Sequence, residues 1–139
     1  MKKDLISIIV PCYKPSIPFL KDCIDSVINQ TTNQWELLII YDGDNEQDYF
    51  ETNELINSFH NHNIRFYFIK HAGQSSARNF GIQKANGEYI TFLDCDDALS
   101  PLFIETSLKY VKQYPNLIIN YRIMEKYEEL DFSSLDFKS

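Results

Sequence analysis

Three carboxylates lie within four residues at the end of a hydrophobic run, and they are the clearest chemical feature of the sequence. Residues 88–93 lead directly into Asp94, Asp96 and Asp97. Closely spaced carboxylates repel one another, so each raises the cost of ionising the next unless a cation lies among them. Divalent metals prefer oxygen ligands of this kind. The segment therefore suggests a metal-assisted site at the end of a strand. A solvated turn is an equally weighted alternative, because aspartate is common in turns.

Hydrophobic periodicity places this cluster within an alternating order of strands and helices. Short apolar, β-branched runs predict five strands, at residues 5–10, 36–41, 64–69, 89–93 and 117–124. Helical spacing of apolar residues predicts four helices, at residues 17–30, 49–59, 75–85 and 101–114. Pro11 is expected to end the first strand, and Ser75 or Ser76 to begin the third helix. Ser100 is expected to cap the fourth helix, with Pro101 at its first position.

The alternation of strands and helices predicts an α/β fold, with a mainly parallel sheet and helices on both faces. Residues 1–124 are expected to form this domain. Residues 125–139, which are acidic and aperiodic, are expected to be a tail or the start of another half. Ligands bind such sheets beyond the carboxyl ends of the strands. The residues expected to converge at that edge include Pro11, Tyr13, Asp42, Arg78, Asp94 and Asp96.

A phosphorylated ligand at this edge would have to be recognised without the common phosphate-binding loops. The sequence contains no GxxxxGK[ST] motif and no GxGxxG after the first strand, so the amide cradle of those loops is missing. A metal held by Asp96 would supply positive charge and would bridge the carboxylates to a diphosphate. An acidic site for an anionic ligand is chemically sensible only with such a cation.

Composition argues against several other classes of function. The chain has 139 residues and a net charge of −7, from 13 basic and 20 acidic residues. Nucleic-acid binding needs a basic face, and an anionic membrane surface would repel this charge. Three cysteines without metal-ligand spacing are expected to be reduced thiols. The chain has no apolar stretch of about 20 residues. It also has no cleavable signal peptide, so a cytoplasmic location is expected, at the inner face of the membrane as an option for the intact protein.

Five segments, in order, resemble family 2 glycosyltransferases, the inverting enzymes of the GT-A fold. The matching segments are Ser-Ile-Ile-Val-Pro-Cys-Tyr at residues 7–13, Ser-Val-Ile-Asn-Gln-Thr at 26–31, the strand and turn at 36–43, Ala-Arg-Asn-Phe-Gly-Ile at 77–82, and Gly-Glu-Tyr-Ile-Thr-Phe-Leu-Asp-Cys-Asp-Asp at 87–97. The resemblance covers residues 4–124. It identifies the chain as the N-terminal, nucleotide-sugar-binding half of such an enzyme.

The resemblance implies a donor, an acceptor and a metal. The donor would be a nucleoside-diphospho-sugar, most often a UDP-sugar, and the acceptor a glycan, a lipid or a polysaccharide. The metal would be Mg²⁺ or Mn²⁺, bound by Asp96 and bridging the diphosphate. Asp94 would contact the ribose or help to set the metal site, and Asp97 would only brace the loop.

The resemblance also implies a nucleotide pocket. Asp42 would hydrogen-bond the nucleobase, Pro11 and Tyr13 would lie beside the base, and Arg78 would help to order the pocket. Simpler roles are open for three of these residues. Asp42 could only stabilise the turn after its strand, since Asp-Gly is a turn signal. Arg78 could be a surface helix residue or pair with an acid, and Tyr13 could be a core or rim aromatic.

Departures from the family pattern leave alternative functions open. Lys14 stands where the family commonly has Asn, Tyr41 replaces the first acid of the Asp-Asp-Gly-Ser turn, and Asp44 replaces its Ser. No residue matches the family's catalytic base, which an inverting transfer needs to deprotonate the acceptor hydroxyl. One alternative is a nucleotide-sugar-binding module without catalysis. Another is a scaffold or homodimerising domain that has lost its ligand.

Overall fold

The computed structural model of the chain describes residues 1–70 and 72–114. Four strands alternate with four helices along these residues. The elements in chain order are β1 (Lys2–Cys12), α1 (Ile17–Ile28), β2 (Trp35–Gly43), α2 (Glu46–Ser58), β3 (Ile64–Lys70), α3 (Gln74–Lys84), β4 (Gly87–Phe92) and α4 (Phe103–Gln113). The predicted strand at residues 117–124 and the predicted tail at 125–139 lie outside the described residues.

The four strands form one parallel sheet in the order β3-β2-β1-β4. The chain therefore winds outwards from β1 in one direction to β3 and then crosses to the other edge for β4. Ile9 pairs with Phe92 on β4, and Leu93 continues the ladder by donating its N–H to the Ile9 carbonyl at 2.9 Å. All the carboxyl ends of the strands consequently lie at one edge, as the predicted α/β fold requires.

Helices cover both faces of the sheet, which confirms the predicted fold class. On one face, α1, α2 and α4 pack against alternate side chains of the strands, and Leu20, Ile24 and Ile104 are fully buried in that core. On the other face, α3 packs on β1 and β2 through Ala77 and Phe80. Every residue of β2 is buried, as expected for a central strand that is covered on both faces.

Gly81 allows α3 to lie close to the sheet. A Cβ atom at this position would lie 2.5 Å from Cγ2 of Ile9, which is closer than packed carbon atoms approach. The glycine of the Ala-Arg-Asn-Phe-Gly-Ile segment therefore has a packing role, and it lets the second half of α3 lie close to Ile9 of β1.

Several predicted boundaries are wrong. β1 continues through Pro11 to Cys12, with Pro11 paired to Ile40 of β2. α4 begins at Phe103, because Pro101 and Leu102 form a turn in which Phe103 donates to the carbonyl of Ser100. The Ser100 hydroxyl is buried without a partner and does not cap the helix.

The second and third helices also begin earlier than expected. α2 starts at Glu46, because the Asn45 side chain accepts hydrogen bonds from the backbone N–H groups of Gln47 and Asp48. α3 starts at Gln74, directly after Gly73, whose φ of 100° suits only glycine. The serines at 75 and 76 lie inside the helix rather than at its start.

A buried carboxylate links all four strands through hydrogen bonds. Glu36 of β2 accepts hydrogen bonds from the hydroxyl of Ser7 at 2.5 Å, the backbone N–H of Asn86 at 2.6 Å and the guanidinium of Arg65 at 2.7 Å. Ser7 in turn accepts from the backbone N–H of Gly87. Burial alone would raise the pKa of Glu36, but these hydrogen bonds and the Arg65 charge outweigh it and lower the pKa.

Candidate functional site

A cleft of about 560 Å³ opens at the carboxyl edge of the sheet. Its walls come from the ends of β1, β2 and β4 and from the first residues of α1 and α3. The lining residues are Pro11, Cys12, Tyr13, Lys14, Pro15, Ser16, Phe19, Asp42, Gly73, Gln74, Asp94, Cys95 and Asp96. Five of the six predicted site residues therefore meet in one cleft, and Arg78 is not among its lining residues.

The acidic segment after β4 forms a tight turn at the mouth of the cleft. The backbone N–H of Asp97 donates to the carbonyl of Asp94 at 3.0 Å, which folds the three carboxylates towards one another. One carboxylate oxygen from each of Asp94, Asp96 and Asp97 lies within 4.8 Å of the other two. Oxygens that share a divalent ion at about 2.1–2.5 Å have this spacing, so the donor set fits Mg²⁺, Mn²⁺ or Ca²⁺.

The charge of this turn also favours a bound divalent metal. Partial burial and the charges of Asp96 and Asp94 raise the pKa of Asp97 from its ordinary 3.8 to about 6. Within the described residues, no lysine or arginine forms an ion pair with any of the three carboxylates. Among the described residues the cluster therefore has no ion-paired cation to compensate its negative charge, and a bound metal would stabilise such an environment.

Asp42 ends β2 at the base of the cleft and is only 3% exposed. Its two oxygens accept hydrogen bonds from the backbone N–H groups of Ala72 at 2.8 Å and Gly73 at 3.1 Å. The carboxylate thus holds the loop that leads into α3 and also lines the cleft. Both roles weighed for Asp42 from the sequence, the turn and the ligand-facing position, are compatible with this geometry.

Two aromatic side chains, Tyr13 and Phe19, also line the cleft and together form an aromatic wall. Tyr13 and Phe19 are 45% and 57% exposed, which is high for large aromatic side chains beside a cavity. The ammonium group of Lys14 lies 5.4 Å from the centre of the Tyr13 ring. Pro11 reaches the cleft because β1 continues through it.

The contributions of Phe19 and Lys14 were not predicted. Phe19 falls in the apolar stripe of α1 and resembles a core residue in the sequence. Its position in the first turn of the helix, two residues after Ile17, is the signal that could have revealed its exposure. Lys14 is the one basic residue that lines the cleft along the described chain.

Arg78 of α3 lies against Phe92 and is not among the residues that line the cleft. Its Nε atom is buried without a hydrogen-bond partner, and its guanidinium carbon lies 5.3 Å from the centre of the Phe92 ring. The side chain stacks on the end of β4 and does not reach the cleft directly.

Three thiols surround the acidic turn. The thiols of Cys12 and Cys95 are hydrogen-bond partners, and this bond raises the pKa of Cys12 and lowers the pKa of Cys95. Cys23 of α1 donates from its Sγ to the carbonyl of Asp94 at 3.7 Å, and its burial raises its pKa. All three are free cysteines, as the sequence predicts.

None of the described helices combines the length and the apolar character needed to cross a membrane.

Comparison with known proteins identifies the family. The model of glycosyl transferase family 2 matches residues 7–136. The glycosyltransferase GlyA of Streptococcus pneumoniae is 34% identical over 113 residues, which are 80% of this chain and 16% of that protein. An uncharacterised glycosyltransferase of Haemophilus influenzae is 35% identical over 114 residues, 81% of this chain and 44% of that protein. The chain thus spans less than half the length of these relatives.

Solved structures share the fold at low sequence identity. Staphylococcus aureus TarS 1–349, determined in complex with UDP-GlcNAc, superposes with a TM-score of 0.71 and 19% identity, over 88% of this chain and 37% of that one. The mannosyltransferase PcManGT of Pyrobaculum calidifontis, in complex with GDP-Man and Mn²⁺, superposes with a TM-score of 0.61 and 17% identity, over 81% of this chain and 33% of that one. The parallel sheet therefore matches the N-terminal region of GT-A enzymes, and together with the family match this shows that the chain belongs to the family 2 glycosyltransferases.

Proposed function

We propose that the chain is the donor-binding half of a metal-assisted, inverting glycosyltransferase. It would bind a nucleoside-diphospho-sugar, most plausibly a UDP-sugar, for transfer to a glycan, a lipid or a polysaccharide. The observation that carries this proposal is the meeting of the Asp94–Asp96–Asp97 cluster with an exposed aromatic wall in one cleft. The UDP-GlcNAc bound to TarS, and the GDP-Man and Mn²⁺ bound to PcManGT, support it by analogy of fold.

The acidic turn is proposed to receive the diphosphate through a divalent metal. Asp96 would be the main ligand, and Asp94 would either complete the metal site or contact the ribose. When bound, the metal supplies positive charge that stabilises the departing diphosphate. Asp97 would mainly keep the turn closed through its backbone hydrogen bond to Asp94.

The aromatic wall and the base of the cleft are proposed to receive the nucleoside. The exposed ring of Tyr13 offers a face on which a base can stack, and Pro11 adds apolar surface beside it. Because Asp42 is nearly buried, only part of its carboxylate can reach a base, and the backbone groups that it orders at residues 72–73 would share that contact.

Arg78 is proposed to affect the pocket indirectly, through its contact with Phe92. Its stacking on Phe92 lies at the end of β4, just before the acidic turn, so it can support the position of that turn without contacting the donor. This role is narrower than the one that the family resemblance implies.

The proton of the acceptor hydroxyl needs a base, and no residue of the described chain is assigned to it. Inversion requires the hydroxyl to attack the anomeric carbon from the face opposite to the departing diphosphate, while a base removes its proton. The relatives extend well beyond the matched region, and we propose that the base belongs to the intact protein outside the donor half.

Calorimetric titration of the 139-residue chain with UDP and with GDP, with and without Mn²⁺, tests this proposal. We expect Mn²⁺-dependent binding of at least one nucleotide. Asp96→Asn should weaken that binding by about 10–100-fold, because a contact to a charged group contributes about 1.5–3 kcal/mol. Asp22→Asn is the matched control, since Asp22 is exposed on α1, and its affinity should equal that of the parent. No binding of either nucleotide, or equal losses in the two variants, would contradict the proposal.

A second candidate function for the chain alone is a binding module without catalysis. It is supported by the fact that the chain spans less than half the length of its relatives. Such a module would bind the donor but neither transfer nor hydrolyse the sugar. Release of nucleoside diphosphate from a UDP-sugar, measured on the same protein preparation, separates the two functions, because only the enzyme turns the donor over.

A further inference from the structure

The two cysteines of the cleft lie at or beyond the ends of neighbouring strands, since Cys12 is the last residue of β1 and Cys95 lies three residues after the end of β4. In the β1–β4 ladder, Ile9 pairs with Phe92, and each cysteine follows its member of that pair by three residues. Cys12 belongs to the core between the sheet and α1, and Cys95 packs against the same core. Cys95 lies in the acidic turn beyond that ladder, so the sheet does not fix the distance between the two cysteines, and a disulfide would hold their Cα atoms about 4.4–6.8 Å apart.

The two thiols act on each other, because their interaction raises the pKa of Cys12 and lowers the pKa of Cys95, and both cysteines line the cleft. Cys12 is 1% exposed, whereas Cys95 is partly exposed between Asp94 and Asp96. An oxidant dissolved in water can therefore reach Cys95 first, and the buried partner is in place to resolve the oxidised sulfur.

We propose that Cys12 and Cys95 form a disulfide-forming pair, a thiol-oxidation site inside the cleft that closes it to the nucleotide. With hydrogen peroxide as the oxidant, Cys95 first becomes a sulfenic acid as the O–O bond breaks and one water leaves. The Cys12 sulfur then attacks that sulfur, the S–S bond forms, and the sulfenic oxygen leaves as the second water. Two thiols are oxidised, and one peroxide is reduced to two waters.

The bond would change the cleft because of where it lies. It would fasten the middle of the acidic turn to the end of β1, directly between Pro11 and Tyr13, and would pull the backbone between Asp94 and Asp96 towards the core. The carboxylates could then no longer take up the arrangement that they have beside free thiols. This consequence for ligand binding rests on the proposed function, whereas the formation of the disulfide does not.

Peptide mapping after mild oxidation tests the pairing. The fully reduced chain is treated with one equivalent of hydrogen peroxide and alkylated, and its peptides are analysed without reduction. We expect free thiols to fall from three to one and a crosslinked peptide to contain Cys12 and Cys95. Cys95→Ser should keep both of its remaining thiols free after peroxide treatment. Cys12→Ala, which removes the more buried member of the pair, is a second variant and should likewise form no crosslink. A crosslink to Cys23, or no crosslink, would overturn the proposal.

Nucleotide titration tests the consequence. The oxidised chain should bind UDP with Mn²⁺ at least tenfold more weakly than the reduced chain, and dithiothreitol should restore the affinity. Cys95→Ser, which cannot form the crosslink, should have the same affinity before and after peroxide treatment. A crosslinked chain with unchanged affinity would overturn the closing of the cleft. A reduced chain that binds no nucleotide would instead contradict the proposed function and leave the mapped disulfide standing.

Discussion

At the amino end of the sheet, the buried carboxylate of Glu36 accepts hydrogen bonds from a hydroxyl, a backbone N–H and a guanidinium. At the carboxyl end, the carboxylates of Asp94, Asp96 and Asp97 face one another without an ion pair to any described lysine or arginine. The first arrangement lowers a pKa and the second raises one. One end uses negative charge to hold strands together, and the other keeps negative charge available for a ligand.

Removing the carboxylate at the amino end should have the largest effect on stability. Glu36→Ala leaves the Arg65 guanidinium, the Ser7 hydroxyl and the Asn86 N–H without their acceptor. We expect the free energy of unfolding to fall by about 3 kcal/mol, as for other buried ion pairs that lose one partner. Urea denaturation followed by circular dichroism measures it. Glu54→Ala, at an exposed position of α2, is the control and should change stability by less than about 0.5 kcal/mol.

Removing a carboxylate at the carboxyl end should have the opposite sign. Asp97→Asn abolishes the repulsion from Asp94 and Asp96 that raises the Asp97 pKa. We expect the free energy of unfolding at pH 7.5, without metal, to rise by about 1 kcal/mol after allowing for solvent screening. The same denaturation experiment measures it, with Asp22→Asn as the control. A loss of stability would mean that the Asp97 carboxylate holds the turn together instead of straining it.

The smallest predicted effect is on the pH dependence of stability, where the two ends of the sheet should contribute in opposite directions. The Asp97 pKa is raised in the folded chain from 3.8 to about 6, so the folded state binds the extra proton in that interval and stability rises as pH falls through 6. The Glu36 pKa is lowered, so its contribution is complete above 4.5 and is lost as pH falls through the folded value.

Urea midpoints at pH 7.5, 5.5 and 3.5 test this prediction. Asp97→Asn should remove the rise between pH 7.5 and 5.5 and keep the acid loss. Glu36→Gln should keep the rise and reduce the acid loss. A parent chain whose midpoint falls steadily over the whole interval would contradict the assignment of Asp97.

Much of the fold could be predicted because its strands are continuous apolar runs. The central strands and the helices on both faces follow from hydrophobic periodicity, and the acidic turn follows from its place after β4. The boundaries were less predictable. α2 begins earlier than its apolar spacing predicts, because the Asn45 side chain caps it with local hydrogen bonds. Ser100 does not cap α4, because its hydroxyl is buried.

The candidate site was predictable in its members but not in their contacts. Spacing along the chain places Asp42 and Asp94 at one edge of the sheet. It cannot reveal that both Asp42 oxygens accept hydrogen bonds from the backbone N–H groups of residues 72–73. Nor can it reveal that Arg78 stacks on Phe92, since that depends on how α3 rotates against the sheet. The meeting of Cys12 and Cys95 in one cleft depends on how the end of β1 lies against the turn after β4, which no local pattern contains.

Pro11 determines where the acidic turn can begin. After Leu93 donates to Ile9, the next rung of a parallel ladder would run from the backbone nitrogen of residue 11 to the Leu93 carbonyl. A proline nitrogen carries no hydrogen, so that rung cannot form and β4 must part from its neighbour there. Because proline has no backbone N–H, the pairing of β1 with β4 ends at Leu93, one residue before Asp94. The backbone beyond Leu93 is therefore free to turn around an ion.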